Sequence, residues 1–179
     1  MQSVLGSCYC LPMARTLSEA ELEEFFRLDR VMNREGLDGE DLDDWFKLCS
    51  MVQTTITGPS NSESNERTAF RVPVKFPVDM TVGGSAFKGV TRNVSVQGAS
   101  VASAHSLPID NRTVHLTIHF TFPRFLRRAK VISLDFGGHV RWSKIGRSSI
   151  MNLEFLPVPA DTFEVLEDLL HQCIRKQIG

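Results

Sequence analysis

Arg67-Thr68-Ala69-Phe70-Arg71 runs directly into Val72-Pro73-Val74-Lys75-Phe76-Pro77-Val78, and 22 residues after Arg71 comes Asn93-Val94-Ser95-Val96-Gln97-Gly98. Arginine is always charged, and its planar fork matches phosphate oxygens bidentately while its flat face can stack on a base. Arg67 and Arg71 are four apart, so they share one face of the chain in either helix or strand. The apolar, β-branched run that follows places the pair on the lip of a sheet. In the second piece Val90, Val94 and Val96 read as a strand that turns at Gly98 and continues through Ala99 and Val101. Asn93 and Ser95, two apart, project to the polar face of that strand. Gly98 allows a positive φ or the close approach of a ligand to the backbone. Taken singly, each piece also reads as two solvated arginines or an ordinary turn.

Working outward, short strands are expected at about 72–82, 86–94, 97–103, 113–122, 129–135, 137–144 and 149–155. Val114-His115-Leu116-Thr117-Ile118-His119-Phe120 alternates most cleanly. Repeated strands with short turns predict a small antiparallel β-barrel. His115 and His119 share its polar face and read as solvated histidines rather than a metal pair. From Ala160 to about Gln177, Phe163, Leu166, Leu169, Leu170, Cys173 and Ile174 form one helical stripe, which Pro159 is placed to start. The fold class is therefore mainly β with flanking helices.

Arg67-x-x-x-Arg71 followed by Asn93-x-Ser95-x-x-Gly98 resembles the PilZ domain family, bacterial receptors for the second messenger cyclic di-GMP. The resemblance covers approximately Arg67 to Gln177. It includes Val140-Arg141-Trp142 on a late strand, a final strand Ile150–Phe155 and the closing amphipathic helix. It implies that Arg67 and Arg71 clamp phosphate and guanine, that Asn93, Ser95 and Gly98 line the opposite side, and that Trp142 edges the ligand site or fills the barrel. It further implies a cytoplasmic receptor that signals to a protein partner, with cyclic di-GMP as ligand and no other cofactor. The rival is an adaptor of the same fold that works through protein contacts.

Before the barrel, Ser18-Glu19-Ala20-Glu21 is a capping box. It predicts a helix from Glu19 to about Arg34, with Leu22, Phe25, Phe26 and Met32 as its stripe and Gly36 as its stop. A second helix is expected from about Gly39 to Val52, capped by Asp38, with Leu42, Trp45, Phe46, Cys49 and Val52 on one face. Its acids lack the alternation and position-12 glutamate of a calcium loop, so they suit the helix dipole instead. Such a hairpin cannot bury both stripes alone. It needs the barrel or a second copy, which leaves a homodimer through the N-terminal helices open. The expected organisation is an extended N-terminus over 1–16, the hairpin over 17–53, a polar linker over 54–65 and the barrel domain over 66–179.

The 179 residues are 42 % apolar and carry a formal net charge of −1. No global field recruits nucleic acid or membranes, and recognition must come from local charge. The cluster Arg124-Phe125-Leu126-Arg127-Arg128-Ala129-Lys130 reads as a solvated hairpin tip. No apolar run approaches the ~18 residues that span a bilayer. Cys8, Cys10, Cys49 and Cys173 show no metal-site spacing, and a reduced compartment is expected. Leu5-Gly6-Ser7-Cys8 lacks the basic start and apolar run of a lipid-attachment signal. With no GxSxG elbow, GxxxxGK[ST] loop or HExxH pair, an enzyme is not expected.

Overall fold

Ser18 opens the first helix as its spacing requires: its Oγ accepts from Glu21 N–H at 3.3 Å, and the Glu21 carboxylate accepts from Ser18 N–H at 2.9 Å. In this computed structural model, residues 17–58, 69–104, 113–122, 130–144 and 149–179 are described. Helix α1 spans Glu19–Arg34, and Gly36 follows it at φ +82°. Helix α2 spans Gly39–Thr57, five residues past the expected end, and stops at Gly58, φ +82°. The threonines expected in the linker form its last turn, and two of them bond back to carbonyls four residues earlier. Thr55 Oγ1 donates to Met51 O at 2.8 Å and Thr57 Oγ1 to Gln53 O at 2.9 Å. The rest of the expected linker, 59–65, lies outside the described residues, as do 1–16. Asp38 holds the N-cap position with extended backbone, but its side chain makes no cap bond. Glu40 and Asp41 in the first turn supply the negative charge there.

Among the described residues six strands form: β1 (Pro77–Val82), β2 (Ser85–Ser95), β3 (Gly98–Ser103), β4 (Thr113–Phe122), β5 (Lys130–Lys144) and β6 (Ser149–Phe155). They close antiparallel into a barrel in the order β1-β2-β3-β6-β5-β4. The strands expected at 129–135 and 137–144 are one element. The chain continues through the break expected at residue 136, where Phe136 pairs with Leu116 of β4, and Gly138 pairs with Val114 of β4 and also with Phe155 of β6. Gly137 and Gly138 let β5 bend as it passes from one neighbour to the next, which barrel closure demands. The expected strand at 72–82 starts only at Pro77. Residues 72–76 form a lead-in tied to β2 by the Val72–Val94 bridge and by Thr91, whose Oγ1 accepts from Phe76 N–H at 2.8 Å and donates to Val74 O at 2.6 Å.

Helix α3 (Ala160–Ile178) closes the chain. The hairpin buries its stripe on α3 and the lead-in, within this one chain. The Phe25 and Phe70 rings meet edge-on at 5.2 Å, and Phe26 lies 4.4 Å from the His171 ring. Arg30 pairs with Asp168 at 3.0 Å, and Arg175 with Glu19 at 3.2 Å and with Glu23. Gln177 Nε2 donates to Pro73 O at 3.1 Å, so the end of α3 holds the lead-in too. Any dimer through the N-terminal helices would therefore use their outer, charged faces. No helix among the described residues is long and apolar enough to cross a membrane.

Cys49 and Cys173 are buried and unpaired with each other. Burial, with Asp29 adding to it, pushes the Cys49 thiol far above its ordinary range, and burial pushes Cys173 up to about 11. At pH 8 almost no thiolate exists at either position, and thiolate is the reactive form. Iodoacetamide is expected to leave both unmodified in the native chain and to modify both in denaturant; peptide mapping checks this. Rapid native labelling of either would contradict the packing described.

Candidate functional site

Antiparallel register decides which side chains meet on the outer face of the barrel. Val94, Ala99, Leu153 and Val140 fill the interior, so their chain neighbours point outward. One step beyond the Val72–Val94 bridge, Arg71 stands opposite Ser95. Ser95 pairs with Gly98, Gly98 with Glu154, and Glu154 with His139. The adjacent row runs Asn93, Ser100, Asn152, Trp142. Four expected site residues thus come together: Arg71, Ser95 and Gly98 on one row, with Asn93 on the next. Trp142 joins them through its backbone register; its side chain lies outside the described residues, as does Arg67.

Ser95 is buried, and its Oγ donates to Gly98 O at 3.3 Å, which ties the Val96-Gln97 connection. Asn93 is half-buried, and its Oδ1 has no hydrogen-bond partner among the described residues. Gly98 is not a left-handed turn residue, since the positive-φ glycines are others. A Cβ there would lie 2.2 Å from the Leu153 carbonyl oxygen. Its glycine is required by the close approach of β6, where the sequence suggested a positive φ or room for a ligand.

Beside the rows opens a cleft of about 590 Å³. Arg71, Gln97, Arg141, Asn152 and Glu154 line it on the sheet side; Leu156, Pro157, Val158 and Phe163 form an apolar wall. A register shift in β5 between Val140 and Trp142 swings Arg141 onto Glu154, to whose carboxylate its Nε donates. This bond holds Glu154 below the usual carboxylate range, with His139 assisting, and raises the Arg141 guanidinium. Both are charged at neutral pH. The site therefore offers two arginines, one acid, two amides and an apolar face, which suits a ligand that is anionic and flat-ringed.

The sequence places Arg141 and Glu154 on late strands and assigns neither to the site. The alternation Asn152-Leu153-Glu154 was the available signal, because it marks an outward polar face on a strand otherwise read as core. The opposite side of the barrel carries a polar ladder. His119 Nε2 meets Asp79 at 2.9 Å and its Nδ1 meets Ser133 at 2.8 Å, while Thr117 Oγ1 donates to Asp135 at 2.5 Å. The His119 bond holds the Asp79 carboxyl below its usual range. Among the described residues no group of three or more His, Cys, Asp or Glu could hold a metal. The basic segment at 124–129 lies outside the described residues.

A family model described as the PilZ domain matches residues 65–172. Solved structures that resemble the chain include these two. The inhibitor of motility MotI/DgrA of Bacillus subtilis aligns at TM-score 0.50 and 20 % identity, over 66 % of this chain and 56 % of that one. The PilZ domain of YcgR from Escherichia coli, solved with c-di-GMP, aligns at TM-score 0.51 and 11 % identity, over 63 % and 94 %. This chain thus spans little more than half of the Bacillus protein, and at these identities the likeness speaks for the fold. No curated protein matches significantly.

Proposed function

Because the chain belongs to the PilZ domain family, we propose that it is a bacterial receptor that binds cyclic di-GMP in the Arg71 cleft and passes the event to a protein partner. The observation that carries this reading is the row Arg71–Ser95–Gly98, with Asn93 on the neighbouring row, of which Arg71 lines a cleft of about 590 Å³. The c-di-GMP that accompanies the YcgR domain of Escherichia coli agrees with it. Arg71 supplies charge-assisted hydrogen bonds to phosphate or base, and Arg67, four residues earlier in the sequence, a second fork. Asn93 and Ser95 meet the guanine edge or phosphate, and Trp142 edges the ring. No catalytic step and no other cofactor are part of this reading, and the compartment is the cytoplasm.

A charge-assisted hydrogen bond contributes ~1.5–3 kcal/mol. Arg71→Ala is therefore expected to weaken cyclic di-GMP binding by about tenfold to a hundredfold, at ~1.4 kcal/mol per tenfold. Calorimetric titration of the wild-type chain and the variant reads this directly. Equal affinities would remove Arg71 from the site.

One observation favours the adaptor reading as a second course: the outer face of the hairpin is acidic, with Glu24, Asp41, Asp43 and Asp44 exposed. That face suits a cationic protein surface. If the wild-type chain gives no heat with nucleotide, this contact is what remains.

A further inference from the structure

Glu154 is an unexpected group in a cleft suited to phosphate. It sits on the same cross-strand row as Arg71, three strand spacings away across Ser95 and Gly98. Strands lie about 4.8 Å apart, so roughly 14 Å separate the two backbones. Ser95 and Gly98 are buried beneath the row, but Arg71 and Glu154 both line the same cleft with Gln97, so one ligand in the cleft can touch both. A carboxylate so placed disfavours an anion beside it, yet the length of an arginine puts the phosphate at the far end of the row, where the repulsion falls with distance and screening. The carboxylate is ionised and aimed into the cleft by the Arg141 bond, which uses only part of its acceptor capacity.

A ligand that suits both ends of the row carries an anion at one end and hydrogen-bond donors at the other. Guanine presents two adjacent donors on its pairing edge, N1–H and the N2 amine, which match the two oxygens of a carboxylate. Adenine places a bare acceptor nitrogen there, which a carboxylate repels. Resting on the receptor reading above, we propose that Glu154 selects guanine by accepting N1–H and N2–H while Arg71 holds phosphate. Arg141 is the positioning residue that holds the carboxylate in place. The apolar wall of Leu156, Pro157 and Phe163 gives the ring a surface to pack on.

The test is calorimetry on the full chain with cyclic di-GMP and with cyclic di-IMP, whose hypoxanthine keeps N1–H and lacks the N2 amine. The wild-type chain is expected to bind cyclic di-IMP about tenfold more weakly, the cost of one charge-assisted bond. Glu154→Gln is expected to bind cyclic di-GMP about tenfold more weakly and to bind the two ligands within about twofold of each other, because its one remaining acceptor oxygen serves N1–H, which both ligands carry, and its amide N–H faces the N2 amine. Arg141→Gln should move in the same direction by about threefold. A wild type that binds both ligands equally, or a Glu154→Gln chain that keeps the preference or binds tighter, overturns the assignment. The first comparison involves no substitution, so folding of the variant does not enter it. A wild type that ignores both ligands overturns the receptor reading itself, a distinct result.

Discussion

Gly98→Ala is expected to destabilise the chain by about 3–5 kcal/mol, or to prevent it from folding. The added Cβ would stand 2.2 Å from the Leu153 carbonyl oxygen, well inside contact distance. That oxygen is backbone, and Leu153 is paired to Ala99 in the β3–β6 ladder. It can retreat only if the ladder opens, which also strains the bond from Phe155 N–H to Gln97 O at 2.8 Å. Overpacking in a yielding core costs ~1–3 kcal/mol, and each ladder bond lost adds ~0.5–1.5 kcal/mol. Thermal unfolding should fall by roughly 6–20 °C at ~2–4 °C per kcal/mol. Gly137→Ala is the matched control. Its Cβ meets the end of a flexible side chain, Leu156 Cδ1 at 2.9 Å, which can turn aside, so less than ~1 kcal/mol is expected. An unchanged midpoint in Gly98→Ala would show that this glycine serves something other than β3–β6 contact.

Asp29→Ala is expected to cost about 3–5 kcal/mol, concentrated in the helices. The Asp29 carboxylate is buried on α1 and accepts from three groups: Trp45 Nε1 of α2 at 3.3 Å, His171 Nε2 of α3 at 3.0 Å, and Asn33 Nδ2 at 3.2 Å. One side chain thus joins all three helices. Its removal leaves the Trp45 indole and His171 imidazole N–H groups buried without partners, at ~1–3 kcal/mol each. Glu167 keeps its own bonds to Arg34 at 3.0 Å and Asn33 at 3.3 Å, so α3 and the end of α1 stay linked. Native-state hydrogen exchange should show α1 and α2 amides losing protection while β4 and β5 retain theirs. Asp29→Asn keeps one acceptor oxygen and should lose about half as much. If α1 and α2 keep wild-type protection in Asp29→Ala, the carboxylate is not what pins the hairpin.

Several elements were legible because their causes are local. The capping box at Ser18 and the Leu22-Phe25-Phe26 spacing placed α1 within the bounds observed, and the stripe from Phe163 to Ile174 placed α3. Alternation over 113–122 marked β4 residue for residue. The break expected between 135 and 137 does not occur, because Phe136 pairs with Leu116 of β4, and whether a strand continues depends on neighbours far along the chain. Thr54–Thr57 read as linker by composition, yet α2 runs through them, and the Thr55 and Thr57 hydroxyls bond carbonyls one turn back.

By itself the sequence determined the residue types of the site, the period of each element and the need of the N-terminal hairpin for a partner, since caps, periodicity and charge act over a few residues. Only the tertiary structure decided what those residues face. Closure of the barrel set the register that puts Arg71, Ser95, Gly98 and Glu154 on one row, and made β6 rather than a turn the reason for Gly98. It also gave the hairpin α3 and Phe70 to bury itself on, in this same chain. Register and docking depend on backbone pairing and packing between segments tens of residues apart, and no local pattern encodes which of them will meet.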